Sequence, residues 1–134
     1  MIALLPCILG QNAPLAANAG VVVQEGEYSH LDMKRMILKD SPLKWPVKRD
    51  KVIALSKKLL NRHKSTLTRR QEREIAKELV PNIDEIRFLI VSNHNLRDRF
   101  RKALEDCLEP IFRGHPQIGH EVRDARIVAN IVID

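Results

Sequence analysis

The stretch "STLTRRQEREIAKELVPNIDEIRFLIVSN", residues 65–93, holds two short helical patterns meeting at the corner "VPN". Thr68 followed three positions later by Gln71 matches a capping box, in which side chain and backbone satisfy each other's free groups, so a helix is expected to open there. Ile75, Ala76, Leu79 and Val80 give that helix one apolar stripe, and Pro81 stops it because proline has no N–H to continue the ladder. Asn82 with Glu85 offers a second cap-like start, with Ile83, Ile86, Leu89 and Ile90 turned inward. Such a pair predicts a helix-turn-helix-like corner. Its second helix, however, opens on Asp84 and Glu85 and offers only Arg87 as a cation, a poor surface for reading bases between phosphates. The arginines at the opening of the first helix are the better contact.

Towards the C-terminus, Asn95 with Asp98 repeats the cap-like device. Leu96, Phe100, Ala103, Leu104, Cys107 and Leu108 then recur at helical spacing. Opposite charges four apart, Asp98 with Lys102, Arg101 with Glu105 and Lys102 with Asp106, support its outer face. Pro110 is read as its end. "FRGHPQIGH" is a turn-rich connector, and "RIVANIVID" (126–134), β-branched and almost continuously apolar, reads as a buried strand. The other strand candidate, "GVVVQ" (20–24), would pair with it, or strands of several copies would pair between chains.

Towards the N-terminus, a helical pattern begins at Val47. Val52, Leu55, Ser56, Leu59 and Leu60, with Ile53 at the margin, share one face, and Lys51, Lys57, Lys58, Asn61 and Arg62 the other. "LDMKRMILKD" (31–40) is a candidate first helix, closed off by Pro42 and Pro46. Before it, Pro6, Gly10, Pro14 and Gly20 punctuate an extended arm that would order against a partner. The expected fold is mainly α: a small helical bundle with a helix-turn-helix-like corner, an extended N-terminal arm and a C-terminal β-strand. The expected division is an arm over 1–33 without basic residues, a helical core over 34–112 containing a basic segment at 48–73, and a connector with assembly strand over 113–134.

The 134 residues are 44% hydrophobic and 30% charged but only 4% aromatic, so one domain with an aliphatic core is expected. The net charge of +6 conceals a partition: residues 1–33 carry −3, residues 34–73 carry +11 and residues 74–134 carry −2. A cationic block of this kind is a footprint for a polyanion, nucleic acid ahead of an anionic membrane surface; the plain alternative is a solvated, lysine-rich face. The candidate nucleic-acid contacts are Lys48, Arg49, Lys57, Lys58, Arg62, Lys64, Arg69, Arg70 and Arg73. Thr68, Arg69 and Arg70 would place free N–H groups and a positive dipole end against a phosphate. Such contacts give affinity and register without base reading.

Catalytic signatures are lacking: there is no glycine-rich phosphate loop, nucleophile elbow or scaffolded carboxylate pair, so no enzyme and no cofactor is expected. His115, His120 and Cys107 match no standard zinc spacing. Two distant cysteines give no disulfide framework, which suits a reducing, intracellular compartment. The opening apolar run, with Ala17, Asn18 and Ala19 after it, lacks the basic start of a secretory signal and contains Pro6. No run approaches the roughly 20 apolar residues of a membrane span, so no membrane partner is expected.

The run "VSNHNLRDRFRKALEDCLEPIF" after the corner resembles the segment that follows the helix-turn-helix in small terminase subunits of tailed phages, a motif of the type "hPeFRdrYarAre". Asn95, Leu96, Arg97, Asp98, Arg99, Phe100, Lys102, Ala103 and Glu105 match its character. "LTRRQERE" is similar to the "LTpkQerF" phrase of another branch. The resemblance covers about residues 65–112; the acidic second helix, the basic helix before the corner and the long arm without basic residues depart from the family pattern. It implies a viral DNA-packaging protein without enzymatic activity, in the host cytoplasm or the virion. Such a protein would bind DNA in preference to RNA and form a homo-oligomeric ring through residues 96–109 and the terminal strand, with Leu96, Phe100, Leu104, Leu108, Ile127 and Ile131 as contacts. It further implies a large packaging ATPase subunit as partner. Two other functions fit the residues: a structural virion or assembly protein whose arm and strand order on neighbouring subunits, and a small dimeric nucleic-acid-binding regulator.

Overall fold

A computed structural model describes residues 28–134 except Pro42 and Ser65; the arm and the "GVVVQ" segment lie outside the described residues. In chain order the elements are α1 (His30–Ile37), α2 (Arg49–Leu60), a 3-10 turn (Arg62–Lys64), α3 (Arg69–Leu79), α4 (Ile83–Ser92), α5 (Leu96–Phe112) and α6 (Glu121–Ile133). The described part is mainly helical, and no strand occurs among the described residues. No helix among them is long and apolar enough to cross a membrane.

The long α5 is the centre. Its buried face, Leu96, Phe100, Ala103, Leu104, Leu108 and Phe112, recurs every three to four residues and meets α6 most extensively, then α1, α2 and α4. The core is aliphatic apart from Phe100, Phe112 and Tyr28, as the composition requires. One buried hydroxyl, that of Ser56 on α2, has no hydrogen-bond partner.

The C-terminal strand is corrected to a helix. In α6, Asp124, Ala125, Val128, Ala129, Val132 and Ile133 are buried, a spacing of one, three or four positions that belongs to a helix and not to the alternation of a strand. Ala125 and Ala129 present no bulk, which lets α6 lie close along α5. The helix opens on a histidine cap: His120 Nδ1 accepts from the Arg123 N–H at 3.0 Å, while Asp124 Oδ2 accepts from the His120 N–H at 3.2 Å. Ile118 and the inner face of α6 are thus part of the core.

Pro110 does not end α5, which continues to Phe112. The carbonyls around the proline find donors from elsewhere: Trp45 Nε1 donates to the Cys107 carbonyl at 3.4 Å, and Arg49 donates to the Ile111 and Arg113 carbonyls at 3.2 and 3.4 Å. Phe112, 1% exposed, anchors the last turn in the core. Residues 30–33, read as the end of the arm, belong to α1. Ser29 and Asp32 form a capping box that opens α1 at His30, and Met33 is fully buried. The same helix closes at Ile37, before the end read at Asp40, because Lys39 and Asp40 turn left-handed at φ 55° and 60°.

The corner forms as expected. Thr68 Oγ1 accepts from the Gln71 N–H at 3.1 Å and Gln71 Oε1 from the Thr68 N–H at 2.8 Å. Ile75, Ala76, Leu79 and Val80 are buried on α3 and its end, and Ile83, Ile86 and Leu89 on α4. The two asparagine caps are not used: neither Asn82 nor Asn95 makes a side-chain cap bond. Asn82 instead donates to the Met36 carbonyl at 3.1 Å, tying the corner to the end of α1.

Candidate nucleic-acid interface

The basic segment divides among three places. Lys48 and Arg49 lie at the start of α2, a 12-residue helix about 18 Å long, far from the others. Arg49 is committed to the C-terminal carbonyls of α5, where its charge also suits the negative end of the helix dipole, so its role is structural. Lys57 and Lys58 line a groove between α2 and α3. Glu74 and Glu78 share that groove, Lys57 Nζ donates to Gln117 Oε1 at 3.2 Å, and Glu78 pairs with Lys51 at 3.1 Å, so its charge is partly offset.

The third place is the exit of α2 and the opening of α3. Arg62, Lys64, Arg69, Arg70 and Arg73 are all exposed within 12 residues of chain. Arg62 pairs with Glu72 at 3.5 Å. Lys64, Arg69, Arg70 and Arg73 have no side-chain ion pair or hydrogen bond among the described residues. Cations that are exposed, close in sequence and unpaired are available to phosphates, and the positive end of α3 adds to them.

Arg62, Arg69 and Arg73 face a cleft of roughly 400 Å³ that α4 and the last turn of α6 complete. Arg87 of α4 joins them there. Its Nη2 donates to the Val132 carbonyl at 2.8 Å, and its Nε is buried without a partner. Arg87 was legible only as the lone cation of the second corner helix. Its place four residues after Ile83 and three before Ile90 puts it on the edge of the buried stripe, a signal that it turns inward. The outward residues of α4, Asp84, Glu85, Phe88, Val91 and Ser92, are acidic, apolar or neutral, so this helix has no cation on its exposed face.

The expected assembly contacts on α5 are corrected. Leu96, Phe100 and Leu108 are 0% exposed and Leu104 1%, because α1, α4 and α6 already cover them; a second copy cannot reach them in the folded chain. Ile127 remains 40% exposed and Ile131 partly buried on α6. Phe88 and Val91, 52% and 72% exposed, are the larger accessible apolar residues of the corner.

His115 and His120 each spend Nδ1 on a backbone N–H, of Gln117 at 3.2 Å and of Arg123 at 3.0 Å. Among the described residues the one set close enough to share a metal ion is Glu105, Asp106 and Glu109. Their carboxylates are already paired, Glu105 with Arg101 at 2.7 Å and Arg126 at 3.4 Å, Asp106 with Lys102 at 3.3 Å and His30 at 2.9 Å. Of the surface pairs expected on α5, Asp98 meets Arg101 at 3.6 Å and not Lys102.

Comparison with protein-family models, with curated proteins and with solved structures finds no match for this chain.

Proposed function

We propose that this chain is a nucleic-acid-binding protein without catalysis of its own, gripping the phosphates of duplex DNA with the cationic opening of its helix-turn-helix-like corner. The observation that carries the reading is the group Lys64, Arg69, Arg70 and Arg73: exposed, within ten residues, and unpaired among the described residues. The resemblance of the residue pattern over 65–112 to small terminase subunits supports a reading in which this binding serves viral DNA packaging, with a large ATPase subunit as partner. Assembly into a homo-oligomer then has to use surfaces other than the buried face of α5, with Ile127 the exposed member of the expected set.

The test is the salt dependence of duplex binding. Each phosphate contact adds about 0.9 to the slope of log affinity against log salt. Replacing Arg69, Arg70 and Arg73 by Ala lowers the slope by roughly 2 to 3 if all three hold phosphates. An unchanged affinity and slope in the triple variant removes the reading. A second reading, a structural component of a virion, is favoured by the exposed Phe88 and Val91; it expects no salt-dependent DNA binding and a chain that associates through α4.

A further inference from the structure

Four arginines from separate parts of the chain meet at the cleft between α3, α4 and α6: Arg62 from the 3-10 turn, Arg69 and Arg73 from α3, and Arg87 from α4. We propose that this cleft binds a phosphate group bearing two negative charges, the phosphomonoester of a nucleic-acid end or of a free nucleotide.

Charge balance is the first argument. Two carboxylates also line the cleft, and each has its own arginine: Glu72 pairs with Arg62 at 3.5 Å, and Asp134 accepts from Arg97 Nε at 3.0 Å. Arg69, Arg73 and Arg87 are left without a carboxylate among the described residues. Three unmatched guanidinium groups exceed what the single charge of a phosphodiester neutralises and suit a dianion better.

Arg87 supplies the second argument. Its bond to the Val132 carbonyl fixes the guanidinium, while its buried Nε donates to nothing. With no carboxylate to offset it among the described residues, the fixed guanidinium holds its charge at the wall of the cleft, where an anion lowers the cost of its burial. The third argument is spacing. Arg69 and Arg73 stand one turn apart on α3, where like charges repel in the empty cleft and converge on a shared anion. The volume, roughly 400 Å³, suits a nucleotide-sized ligand, and Asn130 adds a neutral polar group to the wall. The phosphate chemistry follows from the cleft alone; the nucleic-acid source rests on the function proposed above.

Fluorescence anisotropy on the full chain compares one hairpin DNA bearing a 5′-phosphate with the same hairpin bearing a 5′-hydroxyl. Calorimetry with deoxyadenosine 5′-monophosphate and with inorganic phosphate accompanies it. The phosphorylated end is expected to bind about tenfold more tightly. Arg87→Gln abolishes that preference and leaves the affinity for the hydroxyl-ended hairpin unchanged. Asn130→Asp, which places a negative charge in the cleft from a half-buried position of α6, also removes the preference and serves if the first variant loses its helical circular dichroism. Nucleotide binding without an end preference, lost in both variants, supports the cleft and assigns its ligand to the free nucleotide. Equal affinity for the two hairpins with no binding of nucleotide or phosphate overturns the proposal, as does a preference that survives both variants. Salt-dependent binding of the hydroxyl-ended hairpin then leaves the function proposed above standing. Conversely, nucleotide binding with no affinity for either hairpin removes that function and keeps the cleft.

Discussion

Cys107 shows how far packing sets the chemistry of a single group. Burial pushes its thiol up to about 11, with nearby Lys34 pulling the other way and Asp106 adding to the rise. Thiolate is the reactive form, so Cys107 is expected to resist alkylation at pH 8 in the native protein and to react readily in denaturant. The same shift couples to stability. The folded chain holds this proton to higher pH than the unfolded chain, whose thiol titrates near its ordinary 9.0. The stabilisation is therefore complete below about pH 9 and declines as pH rises towards 11. Urea unfolding at several pH values, compared with Cys107→Ala, measures it: the alkaline loss should be smaller in the variant. The arginines carry a similar lesson. Arg49 and Arg70 are alike in the sequence, both exposed members of one basic block, yet the first closes the end of α5 and the second makes no side-chain hydrogen bond or ion pair among the described residues. Charge counts along the chain cannot separate them, because the partner carbonyls of Arg49 lie more than 60 residues away.

At the scale of elements, what was local was legible. The capping box at Thr68 and Gln71, the stripe of α3 and the face of α5 are written within a turn or two of chain, and they form as read. Thr68→Ala is expected to cost about 1 kcal/mol, since two N–H groups at the head of α3 lose their arrangement. Thermal unfolding reads it, and a shift no larger than that of an exposed control substitution would count against the cap. The elements misread were those in which tertiary contact overrides local preference. The segment "RIVANIVID" is β-branched, but Ala129 within it, Ala125 just before it and the burial of Val128 and Val132 in a core that α6 shares with α5 and α2 make it a helix. Taken on its own from Arg126 it looks continuously apolar; extended back to Glu121, the polar positions 121, 123 and 126 restore the helical period. Pro110 was read as a stop by a rule that holds for helix interiors, and it sits two residues from the end, where Trp45 and Arg49 donate to the neighbouring carbonyls of Cys107 and Ile111. In the cleft, Arg62, Arg69 and Arg73 were visible as charge, whereas Arg87, Asn130 and Asp134 were brought to them by the fold.

At the scale of the whole molecule, the main revision is that the regular face of α5 belongs to the interior. Leu104→Ala is expected to cost roughly 2–5 kcal/mol through lost transfer energy and the cavity left behind. It should lower the unfolding temperature and leave the native mass by light scattering unchanged. A fall in mass without a fall in stability would instead make α5 an interface. The charge partition also takes a spatial form: the unpaired arginines gather at the opening of α3, while the outward side of the neighbouring α4 is acidic and apolar. A phosphate backbone is attracted to one and repelled by the other, so a bound duplex has a preferred side without any base being read.

The placement of α6 bears on how the chain is made. Synthesis is vectorial, and this helix is the last of the described elements to leave the ribosome, yet it fills the seam along α5 with Ala125, Val128, Ala129 and Val132. Until it emerges, the helices already made have their largest apolar contact uncovered. The domain therefore cannot complete its core by stepwise addition from the N-terminus, and the nascent chain presents a greasy surface for the time needed to add those last helical turns.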